Sequence, residues 1–212
     1  MKKYKVNEQF FEEWSNDMAY VLGVIASDGC LFVDKEKRKS IRIGINIKDI
    51  MWLKSIRSLM GSNHPIYERQ KDNIVLLCIG RKKMFDDIVR IGIKPRKSLD
   101  LNFPKIPKEY INHFIRGYVD GDGYFGTLND GKGNTYLRCS ISGTKGFLLS
   151  LKQIFSKIYG KEIGSVRFAN RCYELTYGGK KSINHFCDWI YKNSISQNRL
   201  SRKYNYVRGW SM

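Results

Sequence analysis

Apolar and polar residues alternate strictly around residue 40, and this pattern predicts a β-strand with one buried face. Ile41, Ile43, Ile45 and Ile47 would share that face, and the polar residues between them would share the other. A strand of this kind is apolar toward packed helices and polar toward solvent or a ligand. Segments with helical spacing precede and follow it, so we expect the strand to belong to a mixed α and β unit.

The same order of elements is expected twice along the chain. In the first half the pattern predicts helices over about 15–28, 49–60 and 81–91, with one hairpin around the alternating strand and a second over about 64–79. In the second half it predicts helices over about 108–122, 145–159 and 180–192, with hairpins before 143 and over about 163–177. The fold class expected is therefore α+β, with two pseudo-symmetric α-β-β-α-β-β-α repeats.

Residues at the ends of the first helix of each half support these limits. Ser15 or Asn16 is a suitable N-cap, because its side-chain oxygen can accept a hydrogen bond from the first turn. Gly29 and Gly123 stand where each helix should end, as glycine commonly does at a helix C-terminus.

The repeat is also visible as direct sequence similarity. The stretch VLGVIASDG (21–29) matches IRGYVDGDG (115–123), and SIRIGINI (40–47) matches YLRCSIS (136–142) with Arg42 over Arg138 and Ile45 over Ile141. Leu76 then falls over Leu175. Matches that recur in the same order indicate a duplication.

Prolines mark the junction between the two halves. Three of the four prolines, Pro95, Pro104 and Pro107, lie there, and proline disfavours both helix and strand pairing. We therefore divide the chain into a first repeat (1–97), an extended linker (98–109) and a second repeat (110–212). Each repeat is too short to bury a full core alone, so we expect the two to associate about a pseudo-two-fold axis.

The charge balance narrows the class of partner. The chain has 38 Lys and Arg against 20 Asp and Glu, a formal net charge of +18. Such an excess favours a polyanion, and nucleic acid is the first candidate because phosphate neutralisation releases counterions. The alternatives are a surplus that serves solubility, an anionic membrane surface, or a basic structural protein of a ribonucleoprotein.

Other compositional features point to an intracellular protein without a membrane segment. The longest apolar run, Met18 to Ala26, is about half the length that a bilayer requires, and no secretory signal is visible. The five cysteines are odd in number and form no C-x-x-C pair, which suits reduced thiols. The chain begins with Met and ends in Gly-Trp-Ser-Met without a His-Asn junction, so we expect a free-standing or intron-encoded reading frame rather than an intein.

Small residues four apart form a smooth stripe on the first helix of each repeat. The stripe comprises Ala19, Gly23 and Ser27 in the first repeat, and Gly117 and Gly121 in the second. Helices with such stripes can approach each other closely. We therefore expect the two helices to lie side by side with their C-terminal ends together.

That arrangement would bring Asp28 and Asp122 together at the boundary between the repeats. Two carboxylates at the negative ends of two helix dipoles repel each other unless a cation lies between them. Oxygen ligands with room for water favour Mg²⁺. A divalent ion in this position could activate water for attack on a phosphodiester.

At these residues the chain resembles a known family. VLGVIASDG and IRGYVDGDG are similar to the two copies of the motif that names the LAGLIDADG homing endonucleases, and the resemblance extends from about Asn16 to Tyr204. It implies a monomeric, site-specific double-strand DNA endonuclease that leaves 3′ overhangs at a long asymmetric target. The implied cofactor is Mg²⁺, or another divalent cation such as Mn²⁺ or Ca²⁺. The alternatives on the same fold are an RNA-splicing maturase that binds intron RNA and a DNA-binding protein that does not cleave.

The resemblance also implies roles for individual residues. Asp28 and Asp122 would bind metal, aided by the backbone carbonyls of Ser27 and Gly121. The motif's earlier acidic position is Asp120 in the second copy but Ala26 in the first. In the family this position is not the metal ligand, so the departure does not imply an inactive protein.

Two lysines and two polar strand residues complete the implied catalytic set. Lys97 and Lys203 match the family's lysine near the scissile phosphate, where each could polarise the attacking water or simply contact phosphate. Asn46 and Ser142, at the ends of matched strands, could order the metal-bound water.

The four hairpins are expected to form a curved β-saddle that follows the major groove of double-stranded DNA. On the polar, open faces of these hairpins, the candidate readers of base edges are Arg42, Asn46, Arg69, Arg138, Ser140, Arg167 and Arg171. The candidate phosphate contacts in the hairpin tips are Lys35, Lys37, Arg38 and Lys132.

Overall fold

The architecture consists of two four-stranded antiparallel sheets with helices packed on one face of each. A computed structural model describes residues 3–97, 100–129, 131–169 and 171–211. Within those residues there are seven α-helices and eight strands, in the order expected for a duplicated α+β unit. The predicted fold class is therefore confirmed.

The first repeat contains three helices and one sheet. Its elements are α1 (Asn16–Asp28), β1 (Gly29–Val33), β2 (Lys39–Asn46), α2 (Ile50–Leu59), β3 (Ile66–Arg69), β4 (Ile74–Ile79) and α3 (Lys82–Ile91). The strand order across the sheet is β1-β2-β4-β3. Ser15 is the N-cap of α1, because its hydroxyl accepts a hydrogen bond from the Met18 amide at 3.1 Å.

The second repeat reproduces this arrangement and adds one helix. Its elements are α4 (Ile111–Asp122), β5 (Gly123–Asn129), β6 (Thr135–Gly143), α5 (Lys145–Tyr159), β7 (Ser165–Ala169), β8 (Cys172–Gly178), α6 (Lys180–Ile190) and α7 (Ser201–Ser211). The strand order, β5-β6-β8-β7, is the same as in the first repeat. The sequence pattern did not predict α7, whose buried side chains are Lys203 and Val207, one helical turn apart.

The alternating strand behaves largely as predicted. Ile41, Ile43 and Ile45 of β2 are at most 6% exposed and form part of the core beneath the helices. Ile47 differs from the prediction, because the chain leaves the strand at Asn46 and forms a short 3-10 helix over Ile47–Asp49. The opposite face of β2 is only partly covered, so it is available to a ligand.

Strand pairing corrects the way the two repeats were aligned. Gly29 lies opposite Ile43 in the first sheet, and Gly123 lies opposite Ile141 in the second. Since the two glycines are equivalent, Ile43 rather than Ile45 is the counterpart of Ile141. A shift of this kind keeps every side chain on its original face, so the hydrophobic pattern cannot reveal it.

The same correction applies to the arginines that the sequence comparison had matched. Arg42 is the counterpart of Ser140, not of Arg138. Both arginines still lie on the open face of their sheets. The two sheets therefore do not present the same side chains at the same places.

Helices α1 and α4 cross in direct backbone contact. A Cβ atom on Gly23 would overlap the carbonyl oxygen of Phe114 and lie 2.9 Å from the Tyr118 nitrogen. A Cβ atom on Gly117 would overlap the carbonyl oxygen of Tyr20 and lie 2.9 Å from the Val24 nitrogen. These contacts are reciprocal, as a pseudo-two-fold axis between the helices requires.

The remaining small residues of the stripe also line this interface. Ala19 is fully buried, and Gly121 lies against the end of α1. Gly29 and Gly123 end their helices in extended rather than left-handed conformations, with φ of −86° and −88°. Glycine is required there because a Cβ atom would lie 2.6 Å from the Ile25 carbonyl oxygen or 2.5 Å from that of Val119.

The described part of the segment between the repeats packs against the second repeat. Residues 100–107 form neither helix nor strand, and a 3-10 turn at Lys108–Tyr110 leads into α4. The Phe103 ring lies 5.6 Å from that of Phe147 and 5.5 Å from that of Phe114. Residues 98 and 99 of the predicted linker lie outside the described residues. None of the described helices is long and apolar enough to span a bilayer.

Replacing Gly23 by alanine should destabilise the protein, because the added methyl group collides with backbone atoms that cannot move independently. Overpacking of this kind costs about 1–3 kcal/mol, measured as the free energy of unfolding in urea. Gly209→Ala is the matched control, since that exposed helical glycine has nothing within 4 Å of a new Cβ atom. Equal stability of the two variants would contradict the close crossing of α1 and α4.

Candidate active site and DNA-facing surface

Asp28 and Asp122 are the last residues of α1 and α4 and lie just beyond the point where these helices cross. A Cβ atom on Gly121 would overlap both Asp28 Oδ2 and Ser27 Oγ, so the Asp28 carboxylate lies against the end of α4. Burial raises the pKa of Asp122 to about 6, and the nearby Asp28 charge contributes. Burial likewise raises the pKa of Asp28, although a hydrogen bond from Ser27 opposes the shift.

Two buried lysines lie beside these carboxylates. Lys97 Nζ donates a hydrogen bond to the Ser27 carbonyl oxygen at 2.8 Å. Lys203 Nζ donates to the carbonyl oxygens at the end of α4, including those of Asp120 at 2.7 Å and Gly121 at 3.1 Å. Each ammonium thus lies at the negative end of a helix dipole. Burial lowers the pKa of both lysines, and the two aspartates oppose that shift.

The Ser27 and Gly121 carbonyls, predicted as auxiliary metal ligands, are therefore acceptors of lysine hydrogen bonds. A carbonyl oxygen has a second lone pair, so this arrangement leaves each one able to face a cation. In the described part of the chain no cluster of three or more His, Cys, Asp or Glu side chains is placed to bind a metal. The pair of aspartates supplies only oxygen donors, which suits a hard divalent cation that keeps several water ligands.

Two clefts open beside the helix ends, and each contains one of the lysines. The first has a volume of about 230 Å³, and its lining includes Lys97, Asp122 and Ser142. The second has a volume of about 470 Å³, and its lining includes Gly121 and Lys203. Either volume exceeds that of several water molecules, at about 30 Å³ each, so there is room for hydrated ions or phosphate oxygens.

Two polar groups at the site were not predicted from the sequence. Tyr118 donates a hydrogen bond to the Ser142 carbonyl oxygen at 2.9 Å, and its hydroxyl also interacts with Asp122, where it lowers the carboxyl pKa. Tyr118 lies one helical turn before Asp122, so the sequence spacing could have predicted that its side chain lies near that carboxylate. Asp49 accepts two hydrogen bonds of 2.8 Å from Arg202, and this pair joins the first repeat to α7. Asp49 and Arg202 are far apart in the sequence, so no local pattern could predict their contact.

Asp120 is a buried structural residue rather than a ligand in the clefts. It is 1% exposed, and its carboxylate accepts hydrogen bonds from Tyr20 at 2.8 Å, Tyr191 at 3.1 Å and the Leu200 amide at 2.7 Å. These bonds hold the segment that leads into α7 and Lys203. Ala26, at the equivalent place in the first repeat, is 2% exposed and makes no such bonds.

The two residues proposed to order water are placed differently. Ser142 lines the first cleft together with Asp122. The Asn46 side chain instead accepts a hydrogen bond from the Lys48 amide at 3.0 Å and caps the 3-10 helix. By strand pairing the counterpart of Asn46 is Thr144, the N-cap of α5, so Asn46 and Ser142 are not a matched pair.

Most of the predicted base readers lie on the open faces of the sheets. Arg42 stacks its guanidinium on the Phe32 ring at 3.6 Å. In the second sheet, Arg138 and Ser140 lie on the open face of β6. The predicted readers Arg69 and Arg167 each occupy an open-face position of an edge strand. Arg69 also forms an ion pair of 2.5 Å with Asp72.

Arg171 was predicted to lie on the open face, and this prediction is wrong. The residue lies in the turn between β7 and β8, with a left-handed φ of +75°, and is exposed. The tight turn after Ala169 takes it out of the alternating pattern of the strands. Its position instead resembles that of the basic residues in the other hairpin tips.

The predicted phosphate contacts lie in turns, as expected. Lys35 and Lys37 are exposed between β1 and β2, and Lys132 is exposed between β5 and β6. Arg38 shares the first of these turns but already forms ion pairs of 2.7 and 2.8 Å with Asp34 and Glu36. Its charge is therefore partly neutralised before any nucleic acid binds.

Solved structures with a similar architecture include nucleases bound to DNA. The LAGLIDADG meganuclease I-AabMI bound to uncleaved DNA aligns with a TM-score of 0.65 at 13% identity, over 91% of this chain and 88% of that one. The LAGLIDADG homing endonuclease I-LtrWI bound to target DNA aligns with a TM-score of 0.64 at 13% identity, over 97% and 89%. The chain thus has the LAGLIDADG homing endonuclease fold, as the two nine-residue motifs predicted.

Comparison with curated sequences finds a further similarity. No protein-family model matches the sequence. A probable translation initiation factor IF-2 of Methanocaldococcus jannaschii is 28% identical over 187 residues, which cover 82% of this chain. The chain spans only 15% of the length of that curated relative.

Replacing Asp122 by asparagine should increase stability at pH 7.5, because it removes a buried charge. An acid whose folded pKa is raised to about 6 favours the folded state when protonated, so the wild type loses stability as pH rises from about 4 to 6. The gain in the free energy of unfolding at pH 7.5 should be about 1–3 kcal/mol, and it should disappear below pH 4.

A divalent cation should reduce the difference in stability between the wild type and the Asp122→Asn variant. Adding MgCl₂ or CaCl₂ at pH 7.5 is expected to raise the melting temperature of the wild type but not that of the Asp122→Asn variant. Glu109→Gln removes the same charge at an exposed position before the N-terminal end of α4, far from the C-terminal ends that carry the two aspartates, and should behave as the wild type. Equal cation responses of wild type and Asp122→Asn would exclude this carboxyl as a metal ligand.

Proposed function

We propose that this protein is a site-specific, metal-dependent endonuclease that cuts both strands of double-stranded DNA. The observation that carries the proposal is the meeting of Asp28 and Asp122, one from each repeat, beside two clefts that each contain one lysine. The fold is that of DNA endonucleases, and the net charge of +18 suits a phosphate polymer.

The aspartates would hold the divalent cation, Mg²⁺ under cellular conditions. When bound, the ion would supply Lewis acidity toward the phosphodiester and lower the pKa of bound water. Burial raises the pKa of both carboxyl groups, so ionising them without a cation is costly, and this favours cation binding. Tyr118 and Ser142 would fix the Asp122 side of the first cleft through the hydrogen bond between them.

The lysines would act on the phosphate and the attacking water. Lys97 and Lys203 are held in place by backbone carbonyls, so each ammonium keeps a fixed position beside the carboxylates. Positive charge placed in advance stabilises the charge that develops in phosphoryl transfer. With one lysine in each cleft, each cleft would serve one strand of the duplex. Cleavage at two such sites would leave the short 3′ overhangs that the family resemblance implies.

The target should be long and asymmetric, and the active protein a monomer. Both repeats already lie in one chain, so no second copy is required to bring the aspartates together. Their open faces carry different side chains, because the structural counterpart of Arg42 is Ser140. An asymmetric surface requires an asymmetric sequence in the DNA.

Asp28→Asn and Asp122→Asn should each abolish double-strand cutting while leaving DNA binding within a few-fold of the wild type. Each substitution keeps the shape of the side chain but removes a metal-binding charge. The measurement is cleavage of a selected target in Mg²⁺, paired with binding to the same duplex in Ca²⁺. Full cutting by either variant would remove these residues from the active site.

The same experiment separates cleavage from the two alternative functions on this fold. A wild type that binds duplex DNA but leaves it intact in Mg²⁺ and Mn²⁺ would be a non-cleaving DNA-binding protein. Tighter binding to a structured intron RNA than to duplex DNA at equal salt would favour a maturase. Glu109→Gln is the matched control for charge removal, and it should cut as well as the wild type.

Lys35→Gln and Lys37→Gln should weaken DNA binding mainly at low salt. Each lysine that contacts a phosphate contributes about 0.9 to the slope of log K against log [salt], so the double variant should have a slope shallower by roughly 2. The measurement is a salt titration of binding affinity.

Lys192→Gln is the control for this titration. It removes an exposed charge in the turn just after α6, the helix that packs against the core face of the second sheet. The slope should then stay at the wild-type value. An unchanged slope for the Lys35 and Lys37 variants would show that the tip of the first hairpin does not contact the DNA backbone.

A further inference from the structure

The central strands β4 and β8 occupy equivalent positions but expose different chemistry. Ile43 pairs with Leu77 in the first sheet, and its counterpart Ile141 pairs with Leu175 in the second. Leu77 and Leu175 are therefore equivalent, which corrects the sequence match of Leu76 with Leu175. The strand positions on the open face form three pairs, namely Ile74 with Cys172, Leu76 with Glu174, and Cys78 with Thr176.

The middle of the first open face is apolar. A Cβ atom on Gly44 would lie 3.5 Å from Leu76 Cδ1 and 3.7 Å from Ile74 Cγ2, so these side chains share the open face of β2. Tyr67 pairs with Leu76 from the edge strand and is 52% exposed. A partly exposed aliphatic patch on a sheet facing DNA would contact the apolar atoms of the major groove.

The corresponding position of the second sheet carries a carboxylate. Glu174 is half-buried, with Ser142 opposite it on one side and Arg167 on the other. The Ser140 hydroxyl lies 3.4 Å from Glu174 Oε2. Of the two glutamates in the eight described strands, Glu68 pairs with buried Val75 and faces the helices, so Glu174 is the acidic residue of the open faces.

A carboxylate in this position is unfavourable toward phosphates unless it meets a specific donor. In the major groove, cytosine presents an exocyclic amino donor, and a glutamate is a suitable acceptor for it. Thymine presents a methyl group, which an aliphatic side chain contacts favourably. The two equivalent positions are therefore suited to different bases.

We propose that Glu174 reads a cytosine in the half of the target that lies against the second sheet, and that Leu76 contacts a thymine methyl group at the matched position of the other half. The assignment rests on the DNA binding included in the proposed function, but not on cleavage. With this assignment, the half-site against the first sheet favours thymine at the position that Leu76 contacts. The half-site against the second sheet requires cytosine at the position that Glu174 contacts.

The test is selection of bound duplexes from a randomised library in Ca²⁺, so that binding is read without cutting. Wild-type protein should prefer cytosine at one position of one half-site. Glu174→Gln should move that preference to adenine, because an amide both donates and accepts, with a change in discrimination of about 5- to 100-fold at that position. The remaining positions should keep their preferences.

Leu76 is tested with the same duplex carrying deoxyuridine in place of thymine, which removes only the methyl group. Wild-type affinity should fall a few-fold at the matched position, whereas Leu76→Ala should bind the two duplexes equally. Glu174→Gln should retain the wild-type response to deoxyuridine, and Leu76→Ala should retain the cytosine preference. Each variant thus serves as the control for the other.

Three results would overturn the inference. One is an unchanged base preference for Glu174→Gln, another is a uniform gain in affinity on all sequences, and the third is a deoxyuridine response that survives in Leu76→Ala. A shifted preference without any cleavage in Mg²⁺ would support the inference and refute the endonuclease. Cleavage with an unshifted preference would do the reverse.

Discussion

The backbone contact between α1 and α4 is the constraint on which the other features depend. Gly23 and Gly117 allow each helix to touch the main chain of the other, and no side chain could be added at either position without separating them. Each helix ends shortly after this contact and leads directly into the first strand of its sheet. One contact thus fixes the distance between the aspartates and the relative position of the two open faces.

Bringing two helix C-termini together concentrates negative charge, and the chain offsets it with buried lysines. Lys97 and Lys203 donate to the terminal carbonyls of α1 and α4, while Asp28 and Asp122 remain beside them with raised pKa values. The ammonium groups compensate the helix dipoles more directly than they compensate the carboxylates, because their hydrogen bonds go to backbone carbonyl oxygens. The carboxylates retain an excess of negative charge that suits a cation.

The sequence predicted the features that depend on local pattern. Helix limits, the small-residue stripe and the two aspartates follow from spacing and repetition, whereas the two lysines were implied by the resemblance to the LAGLIDADG family. Strand register was not predictable, because moving Ile43 to the place assigned to Ile45 preserves the alternation of faces. Among the side chains of α7 that the structure describes, only Lys203 and Val207 are buried, which is too few for a clear periodic signal. The Asp49 and Arg202 pair depends on tertiary packing alone.

The buried carboxylate of Asp120 makes the two repeats unequal, and this limits the construction of proteins from two copies of a single repeat. It holds the chain before α7 through Leu200, whereas Ala26 provides no acceptor at the corresponding place. A protein assembled from two copies of the first repeat would lack both α7 and the carboxylate that anchors the chain before it. One assembled from two copies of the second would place a further buried acid in the core, with a second terminal helix required to satisfy it. The duplicated halves have therefore become complementary parts, and neither can substitute for the other.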